Sequence, residues 1–112
     1  MENQLTWSEF NKVDMRIGTI ISAKMFKQAK KPAYILHIDF GKLGIKKSSA
    51  KITNLYATGE LIGKQIIAVV NFPPKQIANI KSECLVLAGL GENENITLIQ
   101  PERHLKNGTK IG

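Results

Sequence analysis

Hydrophobic and polar positions alternate along much of this chain, and the alternation predicts strands. The clearest case is 33–40, where Tyr34, Leu36, Ile38 and Phe40 share one face and Ile35, His37 and Asp39 the other. Over 13–26, the residues Val13, Met15, Ile17, Thr19, Ile21, Ala23 and Met25 fall on one face, and Gly18 on the other predicts a bulge or bend. Two apolar runs, 66–70 and 84–88, have the length and composition of buried strands and anchor strands over 64–70 and 83–90. The stretch 45–51, rich in lysine and serine, predicts a strand at best half-exposed, and 96–100 a further short one. Thr6-Trp7-Ser8-Glu9 has the form of a capping box and predicts a short helix that packs Trp7 and Phe10 onto the body. A second short helix is predicted over 52–57, ended by Gly59.

The stretch 71–83 breaks the pattern. Pro73 and Pro74 cannot donate to a sheet ladder and bias the residues before them away from helix, so the preceding strand must stop near Asn71. The stretch itself reads as a loop carrying Asn71, Lys75, Gln76, Lys81 and Ser82 between two core strands. Polar groups on a loop held by rigid strands are a common setting for binding, and a solvated connection is the plainer alternative. Five main strands, two short helices and no internal repeat predict an all-β fold, a small five-stranded closed barrel with N- and C-terminal extensions. A helix between the third and fourth strands is the arrangement of an OB-fold. The 112 residues suffice for one such domain, spanning 1–112, and for one core.

Charge changes this picture by its placement. The net charge is +7, and between positions 24 and 51 eight lysines face the single acid Asp39, so one quarter of the chain holds the whole excess. Concentrated positive charge is the footprint of a polyanion partner, and a solubilising surface is the alternative.

The search for other chemistry removes classes of function. His37 and His104 stand far apart with no metal-ligand spacing, so no metal or cofactor is expected. The single cysteine, Cys84, falls in an apolar run and reads as a small buried hydrophobe. Gly41-Lys42-Leu43-Gly44-Ile45-Lys46-Lys47-Ser48 lacks the glycine placement of a phosphate loop. The carboxylates are scattered, and an enzyme is not expected. No apolar run nears the roughly 18 residues of a membrane span, and the polar start Met1-Glu2-Asn3-Gln4 is unlike a secretory signal, so a cytoplasmic protein without membrane insertion is expected. Few aromatics remain outside the core face, which favours backbone and shape recognition of folded RNA over stacking along a single strand.

Three segments carry a family resemblance. Val13-Asp14-Met15-Arg16-Ile17-Gly18-Thr19-Ile20 resembles the "V-D-x-R-V-G-x-I" opening strand of the tRNA-binding OB-fold family. Leu61-Ile62-Gly63-Lys64-Gln65-Ile66 resembles its "L-x-G-K-x-V" segment, and 71–87 its "N-L-K-P…E-S-x-G-M-x-L" segment. Asn71-Phe72-Pro73-Pro74 with Lys81-Ser82-Glu83, and the closing Asn107-Gly108-Thr109-Lys110-Ile111-Gly112, is similar to the CsaA-type, export-related chaperone-like branch. The likeness covers about 10–112. It implies a non-catalytic, homodimeric protein that recognises folded tRNA through backbone and shape contacts. The candidate RNA-binding residues are Lys46, Lys47, Ser48, Asn71, Lys75, Gln76, Lys81, Ser82 and Glu83, with Lys27, Lys30 and Lys31 as a secondary basic patch. The alternative it implies is an export-related chaperone for unfolded or precursor polypeptides. It would work with export machinery and hold apolar segments in a groove lined by Phe72, Ile77 and Ile80. Pro73, Ala78, Glu83 and Lys51 depart from the wider family's usual lysine, arginine, glutamine and glycine. Asn71 also has a structural alternative, satisfying backbone groups where the strand ends.

Overall fold

In the computed structural model of the chain, residues 3–112 are described, which leaves Met1 and Glu2 of the polar start outside the described residues. The barrel wall is built from β1 at Met15–Met25, β2 at Tyr34–Asp39, β3 at Ile45–Ala50, β4 at Gln65–Val69 and, after a short hairpin, β7 at Leu85–Val86. They form one five-stranded sheet in the order β3-β2-β1-β4-β7. Its interior is filled by Ile20, Leu36, Ile38, Phe40, Leu61, Ile66 and Ala68, all fully buried. The alternation on β2 places Tyr34, Leu36 and Ile38 inside, as the pattern predicts.

The long strand β1 departs from simple alternation. Its N-terminal half pairs with β4 and its C-terminal half with β2, and the register to β2 shifts between Ile20 and Ser22. This bulge reverses which side chains face the core. Gly18 and Ile20 face inward before it and Ala23 after it, while Ile21 is exposed. Gly18 has a different role from the predicted bend. A Cβ there would lie 2.6 Å from Ile38 Cγ2 and 2.7 Å from the Phe40 ring, so its bare backbone is what lets these side chains reach the wall.

The helix α1 at Trp7–Asn11 carries the expected capping box, with the Glu9 N–H donating to Thr6 Oγ1 and the Thr6 N–H to Glu9 Oε1. Trp7 is nonetheless 83% exposed, so the helix does not pack it on the body. The second helix, α2, is Thr58–Leu61 and not 52–57. Gly59 sits within it, and it closes one end of the barrel with Leu61. The predicted fifth strand is split. Leu85–Val86 continues the barrel, whereas β8 at Ala88–Leu90 pairs with β9 at Ile96–Leu98. The C-terminal tail lies along the N-terminal half of β1, where the Gly108 N–H donates to the Ile17 carbonyl and the Ile111 N–H to that of Met15. Arg16 reinforces it by donating to the Gly108 carbonyl and to Asp14, and this guanidinium holds the Asp14 carboxyl below its ordinary pKa.

The crossover 71–83 is not a plain loop. It folds into a hairpin of β5, Lys75–Ile77, and β6, Ile80–Ser82. Each strand has three residues, too short for an alternation pattern to announce.

Candidate nucleic-acid interface

The barrel closes where β3 meets the segment leading out of the hairpin, and the seam uses side chains. The Lys47 N–H donates to Glu83 Oε1 at 2.9 Å, and the Glu83 N–H donates to the Lys47 carbonyl at 2.8 Å. The Ser49 N–H donates to Ser82 Oγ at 3.1 Å, and Ser48 Oγ donates to the Cys84 carbonyl at 3.2 Å. The edge of β3 would otherwise hold unpaired backbone groups, which are costly when buried. Three sequence-derived recognition residues therefore move to a structural role. Ser48 is 1% exposed and out of reach of a ligand. Ser82 and Glu83 are half-buried with their oxygens turned to the backbone. Beside them Cys84 is buried, and desolvation pushes its thiol up to about 11. That is the inert, hydrophobe-like cysteine that the apolar run predicts.

Asn71 is structural as well. Its Oδ1 accepts from the Asp14 N–H at 3.0 Å and its Nδ2 donates to the Lys12 carbonyl at 2.6 Å, which clamps the end of β4 to the chain entering β1. Gln76 spends its amide on the Ala78 carbonyl at 2.9 Å and holds the hairpin tip.

The lysines are placed differently. The β1–β2 loop and the hairpin stand on two sides of a cleft of about 810 Å³, lined by Lys30, Lys31, Lys51 and Lys75 together with Gln28, Gln76 and Ile77, and by no carboxylate among the described residues. The ion pairs among the described residues are Asp14–Arg16 and Glu102–Arg103, so these four lysines have no acidic partner there. Unpaired ammonium groups converging on one cleft produce a strong local positive potential. The patch at Lys30 and Lys31, secondary in the sequence reading, is thus a wall of the main basic cleft. Lys51 was missed as a site residue, although the charge count included it, because only the fold brings it to Lys75. Lys27 is exposed on the same loop and Lys81 on β6. Lys46 and Lys47 project to opposite faces of β3, so they do not act as one patch.

A second cleft, of about 330 Å³, adjoins the first at Ser49, Lys75 and Ile77 and is apolar. Phe72, Pro73, Ile77 and Leu85 line it, with Ser49, Lys75, Ser82 and Cys84. Of the residues expected in an apolar groove, Phe72 and Ile77 line this cleft and Ile80 does not.

Residues 15–110 match the family described as "Putative tRNA binding domain". The crystal structure of chaperone CsaA from Bacillus anthracis superposes with a TM-score of 0.93 at 52% identity, covering 97% of this chain and 99% of that one. The chain belongs to the CsaA-type tRNA-binding family. CsaA of Picrophilus torridus gives a TM-score of 0.91 at 50% identity, over 97% of this chain and all of that one. A methionine–tRNA ligase of Methanococcoides burtonii is 36% identical over 107 residues, 96% of this chain. The chain spans 16% of that ligase, so the likeness is to a tRNA-binding domain and not to the rest of the enzyme. The superposition on the two CsaA-type structures takes in the barrel wall and the crossover between β4 and β7 alike, since it leaves out only 3% of this chain.

Proposed function

We propose that this chain is a non-catalytic tRNA-binding protein that acts as a homodimer and holds folded RNA in the lysine-lined cleft between the β1–β2 loop and the hairpin. The observation that carries this reading is the convergence of four lysines without a carboxylate in one cleft. Family membership supports tRNA as the polyanion. Lysines contact phosphates and so position the RNA without reading its bases, which suits recognition by shape. Two barrels double a small footprint and raise affinity through effective concentration. Exposed apolar groups on and beside the N-terminal helix, Leu5, Trp7 and Val13, offer surface for such pairing. A cytoplasmic location fits this role. The test is titration of the protein with deacylated tRNA and with an unstructured RNA of equal length, alongside light scattering. Tighter binding of the folded tRNA by a dimer is expected. Equal binding of the two RNAs would remove the tRNA reading, and a 12.4 kDa particle at micromolar concentration would remove the dimer.

A second reading is favoured by the apolar cleft and by the relatives called chaperones, namely that unfolded or precursor polypeptides dock at Phe72 and Ile77 and are passed to export machinery. Competition between tRNA and an apolar peptide separates shared from separate sites.

A further inference from the structure

The geometry points to the apolar cleft at Phe72 as a pocket for one unpaired nucleobase of the bound RNA, next to the phosphates held by the basic cleft. This rests on the RNA reading above. The two clefts adjoin and share Ser49, Lys75 and Ile77, so a chain whose phosphates lie along the lysines has Lys75 at the threshold of the apolar cleft. Phe72 is 54% exposed although aromatic, and its position is held from both sides. Asn71 before it is clamped to Lys12 and Asp14, and Pro73 and Pro74 after it have fixed φ. An exposed ring on a rigid backbone loses little freedom when a flat partner stacks on it. Pro73, Ile77 and Leu85 supply the remaining apolar surface.

Charge decides the class of occupant. A purely apolar peptide segment gains nothing from the ammonium at the rim, whereas a nucleotide presents an apolar face and a phosphate a few ångströms apart, matching the pair of clefts. Size decides the number. At about 330 Å³ the cleft is at the small end of ligand cavities, room for one base and not for a strand. The preferred RNA is therefore a folded one that exposes an unstacked base beside a run of ordered phosphates.

The experiment uses two labelled RNAs with equal numbers of phosphates, a blunt duplex and a duplex with one unpaired nucleotide bulged at its centre, read by fluorescence anisotropy at fixed salt. The bulged RNA should bind about tenfold tighter. Phe72→Ala should abolish that preference while leaving the duplex affinity unchanged, and Phe72→Tyr should retain it. Equal affinity of the two RNAs for the unaltered protein, or a Phe72→Ala effect of the same size on both, would overturn the inference. A combined Lys30, Lys31, Lys51 and Lys75 to Ala variant keeps the two readings apart. If it weakens both RNAs while Phe72→Ala changes neither, the base pocket fails and RNA binding stands. If it changes neither RNA, the RNA reading itself fails. An apolar peptide that needs Phe72 when the bulged RNA does not would give the cleft to polypeptide and overturn the inference as well.

Discussion

The barrel wall and the crossover from Asn71 to Glu83 use polar residues in opposite ways. On β2 the outward residues alternate with the core, and the backbone of every residue from Tyr34 to Asp39 is paired on both sides by β1 and β3. The ladder is complete without side chains: Tyr34 donates to the Tyr56 carbonyl and Asp39 accepts from the Gly41 N–H, both outside the strand. The crossover has two three-residue strands, and its side chains complete backbone: Gln76 its own, Ser82 and Glu83 that of the β3 edge, and Asn71 that of the chain entering β1. Neutral and acidic polar groups are absorbed by that work, and the lysines, which can only donate, remain for a ligand. The difference teaches that a polar side chain is available for recognition only where the nearby backbone is already satisfied.

The largest effect expected from this contrast is on RNA affinity. Replacing Lys30, Lys31, Lys51 and Lys75 together by alanine should lower the magnitude of the slope of log binding constant against log salt by about 3, taking roughly 0.7–0.9 per phosphate. Thermal stability should stay within about 0.5 kcal/mol, since exposed unpaired charges hold nothing together. An unchanged salt slope would show that the cleft is only a solvated surface. The wall should respond in the reverse sense. Gly18→Ala places a methyl against Ile38 and Phe40, which are fully buried and cannot yield. Overpacking of that kind should cost about 2–3 kcal/mol in denaturant unfolding, with the salt slope untouched.

Asn71→Ala tests the crossover more finely. It removes an acceptor from the Asp14 N–H and a donor from the Lys12 carbonyl, both near water, so a loss of about 1–2 kcal/mol of stability is expected. Asn71→Asp keeps the acceptor alone and should fall between. A variant of unchanged stability with weakened tRNA binding would return Asn71 to the recognition surface.

The same contrast explains how much of the molecule is legible in its sequence. The wall was readable because burial on one face enforces period two, as at Tyr34, Leu36 and Ile38. It failed where the Ile20–Ser22 bulge shifts the phase of β1, since one inserted residue leaves no compositional mark, and at 83–90, where one apolar run serves two sheets. The second helix was misplaced because a four-residue helix depends on Glu60 accepting from the Ala57 N–H and on Leu61 reaching the core, and tolerates Gly59 within it. In the site, the concentration of lysine was visible, but Lys31 and Lys75 stand 44 positions apart and only the closed barrel sets them on one cleft. Ser48, Ser82 and Glu83 were read as ligand groups because nothing local distinguishes a hydroxyl aimed at solvent from one that closes a barrel seam.

The smallest expected effect lies at the hairpin tip, where the two regions' rules meet. Ala78 has φ 49°, in the left-handed region, and its Cβ makes that conformation cost about 1–2 kcal/mol. The strain is retained because Gln76 bonds the Ala78 carbonyl and Ile77 faces Ile80 across the turn. Glycine removes the Cβ penalty but loses about 0.5–1 kcal/mol more backbone entropy on folding. The first magnitude exceeds the second, so Ala78→Gly should stabilise the protein by about 0.5 kcal/mol. Hydrogen exchange at Ile77 and Ile80 is the sensitive measurement, because a hairpin of three-residue strands can open without unfolding the barrel. Slower exchange at these amides in the variant is expected. Faster exchange would mean that the tip is held by its neighbours so firmly that the unfolded chain's freedom outweighs the relief of strain.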